Sequence, residues 1–146
     1  MARWNSEDVV KRFLAAEDRR DYDEAVMMLD PEFVEYTPAA QQPIKGREAM
    51  RRAEVQGNEP YFEAFSDVQR KILNIMTKSD MVALELMYTG TFERPLETPE
   101  RTIPPTGSRC ELRYAEFYRV NPDGLIAEAH VYLDTAGFFR QLGPKA

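Results

Sequence analysis

The hydrophobic pattern of the chain changes period once, and that change limits the folds open to it. Up to about Ser66 the apolar residues recur at helical spacing; beyond it they alternate, as strands with two distinct faces do. Helices followed by a run of antiparallel strands make an α+β domain, with the helices covering one face of the sheet. On the helical side, Asn5-Ser6-Glu7-Asp8 offers caps for a helix carrying Val9, Val10, Phe13 and Leu14 on its apolar face. Asp21 caps a second short helix, with Ala25, Val26, Met28 and Leu29 inward, ended by Asp30-Pro31. Phe33 to Thr37 reads as a short strand, Pro38 to Gly46 as a loop and Arg47 to Val55 as a third helix. On the alternating side, Val68 to Thr77, Met81 to Phe92, Glu111 to Val120 and Leu125 to Asp134 read as strands. Asn121-Pro122-Asp123-Gly124 turns the last two into a hairpin. Thr135 to Leu142 closes the chain as a helix, with Asp134 at its N-cap position.

The stretch between Phe92 and Glu111 has no period and contains Pro95, Pro99, Pro104 and Pro105. A structureless loop of that length in a small domain is more often functional than idle, so it is expected to form a rim or lid over a pocket. The 146 residues suit a single domain, 1–146, with 43% hydrophobic residues to build a core. Lys and Arg number 19 against 25 Asp and Glu, and the net charge of −6 works against a nucleic-acid or anionic-membrane partner. Cys110 is the one cysteine, which excludes an intrachain disulfide and a CxxC site and reads as a buried or edge thiol. With His130 the sole histidine, a His-rich metal cage is also excluded, and neither a GxxxxGK[ST] nor a GxGxxG loop is present. No metal and no cofactor are expected. No window has the apolar length of a membrane helix and the N-terminus shows no signal-peptide pattern, so a cytoplasmic protein is expected.

Several short stretches together form a family pattern. Val10-Lys11-Arg12-Phe13-Leu14, Pro31-Glu32-Phe33-Val34-Glu35-Tyr36, Gly46-Arg47-Glu48-Ala49-Met50, Pro104-Pro105-Thr106-Gly107, Asp123-Gly124-Leu125-Ile126-Ala127-Glu128 and Gln141-Leu142-Gly143 occur in this order. The chain resembles the SnoaL-like branch of the nuclear transport factor 2-like superfamily, which includes polyketide cyclases. The resemblance implies a cone-shaped α+β barrel of cystatin-like topology: a strongly curved antiparallel sheet wrapped around N-terminal helices, enclosing a deep apolar cavity. It also implies a homodimer through the outer sheet face. The cyclases it is similar to close rings by an aldol reaction without metal or cofactor, using an acid/base doublet in the last strand within a Glu-His-Trp-Asp motif. The matching positions here are Glu128, Ala129, His130 and Val131, so Ala129 and Val131 stand where the family has His and Asp. A further pocket histidine of the family falls on Glu35.

Pairing Val120 with Leu125 across the turn sets Tyr118 opposite Ala127, Glu116 opposite Ala129 and Tyr114 opposite Val131. One face then holds Leu112, Tyr114, Glu116, Tyr118, Ala127, Ala129, Val131 and Leu133; the other holds Arg113, Ala115, Phe117, Arg119, Ile126, Glu128, His130 and Tyr132. The family places its doublet inside the cone, which assigns the first face to the cavity. Glu116 is its one carboxylate, and an apolar surround raises such a group's pKa. It is the first candidate for abstracting a proton beside a ligand carbonyl, with Tyr114 or Tyr118 stabilising the enolate oxygen. Glu35 is the second catalytic candidate. Tyr36 and Tyr88 are candidate wall residues, and Ala129 and Val131 leave room for a ligand. A structural hydrogen bond for Glu116, an exposed position for Glu35 and plain packing for Tyr36 and Tyr88 are the alternatives.

His130 and Asp134 lie about 13 Å apart along an extended strand, too far for a direct bond. Asp134 is assigned to the helix cap and His130 to the outer face, where its protonation would couple assembly to pH. The strand Met81 to Tyr88 is mostly apolar on both faces, which independently favours cover by a second subunit. Three functions remain: a cofactor-free cyclase or isomerase acting on an apolar, polyketide-like carbonyl compound; a non-catalytic binder of a hydrophobic small molecule; and an epoxide hydrolase. The last wants an Asp-Arg-Asp type of network, which the proposed cavity face does not assemble.

Overall fold

A computed structural model describes residues 5–143. Asn5 caps α1 (Ser6–Asp18), its side chain accepting from the Asp8 amide at 3.3 Å; Asp21 caps α2 (Tyr22–Met27) through the Glu24 amide at 3.1 Å. The chain continues through β1 (Leu29–Tyr36), β2 (Ile44–Lys45) and α3 (Arg47–Ala53). It then passes through a π-helical turn, Glu54–Asn58, into α4 (Glu59–Ala64), where Pro60 occupies the first turn and needs no helical partner. Next come β3 (Gln69–Lys78), β4 (Met81–Thr91), the short pair β5 (Leu96–Glu97) and β6 (Thr102–Ile103), β7 (Arg109–Val120), β8 (Ile126–Tyr132) and α5 (Thr135–Leu142). Among the described residues no helix is long and apolar enough to cross a membrane.

Six strands form one curved sheet in the order β2-β1-β8-β7-β4-β3. The α+β expectation holds, with one difference: the sheet is open and does not close into a barrel. Its strand pairs are antiparallel except β1 with β8, which run parallel. α1 lies on the concave side. Phe13 is 1% exposed and meets the edge of the Tyr118 ring at 5.9 Å, within a core that includes Val10, Leu29, Phe33, Val82, Leu86 and Ile126. A second, smaller core of Ala64, Phe65, Phe92, Leu96, Cys110 and Leu142 binds α4 and α5 to the other end.

The hairpin register departs from the one expected. Tyr118 pairs with Ala129 and Glu116 with Val131, two residues further along β8 than anticipated. Two one-residue shifts add up: the turn pairs Val120 with Ile126 instead of Leu125, and a bulge then pairs Arg119 with Glu128, which drops Ala127 out of the ladder. The slip is even, so Glu116, Tyr118, Ala129 and Val131 keep their common face. Ile126, on the far side of the bulge, moves from the expected outer face into the core, while Ala127 is only half-buried. Asn121 organises the turn, accepting from the Asp123 and Leu125 amides at 2.9 and 3.0 Å, and Gly124 supplies the positive φ of 78°.

The expected lid is not one. Residues 92–108 are ordered by the β5–β6 pair, by Phe92 and Leu96 in the second core, and by Thr106 Oγ1 donating to the Leu142 carbonyl at 2.9 Å. None of them lines the cavity described below. Phe13 is buried where α1 meets the sheet, so Phe13→Ala should cost about 3–5 kcal/mol of unfolding free energy in a urea titration. A loss below about 1 kcal/mol would mean that the helix docks by other contacts.

Candidate functional site

The concave face of the sheet, α1, and the α3–α4 segment leave a cavity of about 500 Å³ between the two cores. Strand alternation sets its wall. Leu112, Tyr114 and Glu116 project from β7, Tyr88 from β4, Arg70 from β3, Val131 from β8 and Glu35 from β1. Tyr88 and Tyr114, diagonal neighbours across the β4–β7 ladder, stack with ring centroids 5.4 Å apart and planes 9° from parallel.

Glu116 is buried, and the Tyr118 hydroxyl donates to its Oε2 at 2.8 Å while its Oε1 has no partner among the described residues. Burial first, then the charge of Glu17, raises its pKa to about 7, against the lowering pull of Arg70 and the Tyr118 hydrogen bond. Glu35 is also buried; burial, then Glu116 and Glu17, push its pKa up to about 8. Near neutral pH one carboxyl therefore holds its proton while the other readily gives one up, the division of labour an acid/base pair needs.

The strand register gives these positions a further meaning. Glu35 pairs with Ala129 and Glu116 pairs with Val131. Each position where the resembling cyclases carry His or Asp thus has a carboxyl beside it on the neighbouring strand, about 4.8 Å away at the backbone. The small Ala129 side chain between Glu35 and Tyr118 keeps the space into which those carboxyls project.

Three residues not anticipated from the sequence complete the cluster. Arg70, whose side chain is 7% exposed, brings Nη2 to 3.2 Å from Glu17 and 2.9 Å from Asp18, and donates to the Leu14 carbonyl at 2.8 Å. Of this carboxylate–guanidinium network, Glu17 and Arg70 line the cavity and Asp18 does not. Glu17 has its pKa raised well above the usual range, by burial first and then by the charge and hydrogen bonding of Glu54. Glu54 is 2% exposed and accepts from Asn58 Nδ2 at 2.6 Å, a contact made within the π-helical turn; burial raises its pKa as well. The sequence did contain a signal for each. Glu17 follows Phe13 by four residues and Glu54 follows Met50 by four, so both continue apolar helix stripes, and Arg70 falls on the inward parity of its strand.

The other expected site residues divide. Tyr88, Tyr114 and Val131 reach the cavity. Tyr118 and Ala129 are buried in the core beneath it rather than at its wall. Tyr36 lies on the opposite face, because it follows the inward Glu35 on an extended strand; it is 45% exposed and stacks on His130 at 4.8 Å. His130 Nε2 is 2.6 Å from Glu128 Oε1 on that outer face. Asp134 caps α5, accepting from the Gly137 amide at 2.8 Å. Among the described residues no group of three or more His, Cys, Asp or Glu side chains is placed to hold a metal ion.

The fold is that of a nuclear transport factor 2-like protein from Burkholderia thailandensis, which superposes with a TM-score of 0.68 at 22% identity over 97% and 99% of the two chains. The SnoaL-like domain family matches residues 10–129, and the chain belongs to that family. IdmH from Streptomyces antibioticus, a proposed polyketide cyclase, superposes with a TM-score of 0.76 at 23% identity, covering 96% of this chain and 99% of that one. AclR from Streptomyces galilaeus, a proposed hydroxylase, gives 0.73 at 24% identity over 94% and 95% of the two chains. SalBIII, described as epoxide hydrolase/cyclase-like with a role in pyran ring formation, gives 0.67 at 17% identity over 90% and 92%. At these identities the likeness is one of fold. No curated protein matches the sequence.

Two raised carboxyl pKa values have a consequence for stability. A protonated Glu35 or Glu116 is favoured by the folded state, so their contribution is full below about pH 4.5 and is lost as pH rises past about 7 for Glu116 and 8 for Glu35. Glu35→Gln, which never ionises, should be more stable than the parent above pH 8 by on the order of 3 kcal/mol and about equal to it at pH 5. Urea titrations at the two pH values check this, and a difference independent of pH would overturn it.

Proposed function

We propose that the chamber is the active site of a cofactor-independent cyclase or isomerase acting on an apolar, polyketide-like carbonyl compound. The observation that supports this most directly is the placement of Glu35 and Glu116, buried on one face of the sheet, flanking the two positions at which the resembling cyclases carry their doublet. In the forward step Glu116 Oε1 takes the proton from carbon next to the carbonyl. The electron pair of that C–H bond becomes the C=C of an enolate, and the oxygen receives the proton held by Glu35, with Tyr114 Oη as a second donor. Reprotonation at another carbon by Glu116, with the enol O–H proton returning to Glu35, completes an isomerisation; attack of the enol carbon on a second carbonyl of the same molecule, whose oxygen takes the Glu116 proton as the enol O–H proton returns to Glu35, completes an aldol closure.

The Glu17–Arg70–Asp18 network favours a second reading, epoxide opening. There the Glu35 proton would go to the epoxide oxygen as its C–O bond breaks, and Glu116 would take a proton from the attacking water or hydroxyl. A non-catalytic binder would use the same chamber without either step.

Deuterium uptake from D₂O into 2-tetralone, an apolar cyclic ketone, followed by proton NMR, separates these. Catalysed exchange is expected, with Glu116→Gln lowering its rate by about 10²-fold or more while circular dichroism stays unchanged. Equal rates for parent and variant would overturn the role of Glu116. Exchange at the uncatalysed rate, with the ketone still bound, would favour the binder.

For partners, we propose a homodimer through the convex face. Met76, Ala83, Phe117, His130 and Tyr36 form one row across five strands, and Met76, Phe117 and Tyr36 are 70%, 38% and 45% exposed. Such a row on the open side of a sheet is costly to leave in water. Phe117→Asp should convert a dimer to a monomer in sedimentation equilibrium; a parent that is already monomeric at micromolar concentration would overturn this.

A further inference from the structure

Arg70 is the one Lys, Arg or His among the described residues that line the chamber, and its donors divide between two tasks. On one side a single nitrogen, Nη2, serves the Leu14 carbonyl at 2.8 Å, Asp18 at 2.9 Å and Glu17 at 3.2 Å. A guanidinium carries N–H groups on each of its nitrogens in a rigid plane, so those on Nε and Nη1 are left over from that helix contact. On the other side the side chain reaches across β4. Arg70 pairs with Tyr88, and its guanidinium carbon lies 5.8 Å from the Tyr88 ring centre. One strand further on, it donates a hydrogen bond to the hydroxyl oxygen of Tyr114. Tyr88 and Tyr114 are themselves stacked, so the guanidinium fixes both rings, one by its face and one by its oxygen.

Tyr114 is 7% exposed, and its hydroxyl, an acceptor for Arg70, donates to no described residue. A buried O–H without an acceptor is costly, and a ligand oxygen would remove that cost. The next inward residue of β7 is Glu116, about 7 Å along the strand, whose Oε1 also has no partner among the described residues. A free O–H and a free carboxyl oxygen at that spacing are placed to meet a carbonyl oxygen and the C–H beside it.

A hydroxyl whose own oxygen accepts from a cation is a stronger donor. The guanidinium draws electron density from the phenol oxygen, and charge arriving on the ligand oxygen reaches the cation through one shared hydroxyl. Burial first, then Tyr88 and Glu116, hold the Tyr114 proton well above the ordinary tyrosine range, with Arg70 opposing them. Near neutral pH the hydroxyl therefore keeps its proton and acts as a donor.

We propose that Arg70 is the positioning residue of the site: it orients and polarises the Tyr114 hydroxyl, which holds the enolate oxygen while the proton moves between carbon and Glu116. The proposal rests on the proton-transfer reading and assigns two roles within it. Glu35 supplies the proton to that oxygen; the Arg70–Tyr114 pair stabilises the charge that develops before the proton arrives. An arginine suits the task and a lysine does not, because one nitrogen cannot meet the α1 groups on one side of β4 and Tyr114 on the other.

2-Naphthol, the aromatic counterpart of the 2-tetralone enol, reads the oxyanion site by absorbance. Bound to the parent at neutral pH it should show the naphtholate band, and Tyr114→Phe and Arg70→Lys should each lower the naphtholate share several-fold. Deuterium exchange into 2-tetralone reads the coupling. Each variant should lower kcat by about tenfold or more with KM within about threefold, because the hydrogen bond strengthens only as charge develops. In the Tyr114→Phe background, Arg70→Lys should lower kcat by less than about twofold further. An arginine with a structural role alone would lower the rate by the same factor in both backgrounds, and that result overturns the proposal. So does a parent in which 2-naphthol fails to bind or binds wholly in its neutral form, or a naphtholate share that either variant leaves unchanged. Should Arg70→Lys fail to fold, the guanidinium nitrogen resonances of Arg70 in isotope-labelled protein decide. 2-Naphthol should shift them markedly in the parent and little in Tyr114→Phe, and equal shifts overturn the pairing. Exchange that needs Glu116 but is indifferent to Tyr114→Phe would sink the pair alone. No exchange, with a naphtholate share that both variants reduce, would sink the proton-transfer reading and leave Arg70 and Tyr114 as an oxyanion-binding pair.

Discussion

Everything in the chamber follows from burying several carboxyl groups around a single guanidinium. In a medium of low dielectric, an ionised carboxylate without a partner is far more costly than in water, so each group must take a proton, a hydrogen bond or a cation. Glu17 and Asp18 take Arg70, Glu116 takes the Tyr118 hydroxyl, and Glu54 takes Asn58. Glu35 has no such partner and keeps its proton to about pH 8. The two carboxyls Glu35 and Glu116 are thus distinguished by what their neighbours supply, not by residue type.

That arrangement is expensive for the fold, and two separate cores offset it. One fastens α1 and α2 to the sheet through Phe13, Leu29 and Phe33; the other fastens α4 and α5 to β7 and to the segment between β4 and β7. The chamber is the gap between them. The proline-rich segment, with the sequence character of a lid, is spent on the second core, where Phe92 and Leu96 are fully buried.

Fold alone does not fix which groups line a chamber. Here β8 offers Ala129 and Val131, and the carboxyls stand one strand away on each side, on β1 and β7. A sheet permits that exchange because residues in register on adjacent strands share a face and lie within a side chain's length of each other.

The sequence by itself determined the α+β order, the closing helix with its Asp134 cap, and which residues of β7 share a face. These are local properties: a period of two or 3.6, or a side chain within three residues of an amide, is written in consecutive residues. Glu116 was legible as sharing a face with Tyr114 and Tyr118 for that reason, and the family resemblance made that face the inner one. The register of β8 was not, because a shift at the turn and a bulge at Ala127 add up, and the former sends Ile126 to the other face. Nor was the company Glu116 keeps. Glu17, Glu35, Glu54 and Arg70 come from four elements spread over more than fifty residues, and only the docking of α1 and of the π-helical turn onto the sheet decides that they meet. Parity is set by each backbone segment alone; encounter depends on contacts between distant segments, and so it belongs to the tertiary structure.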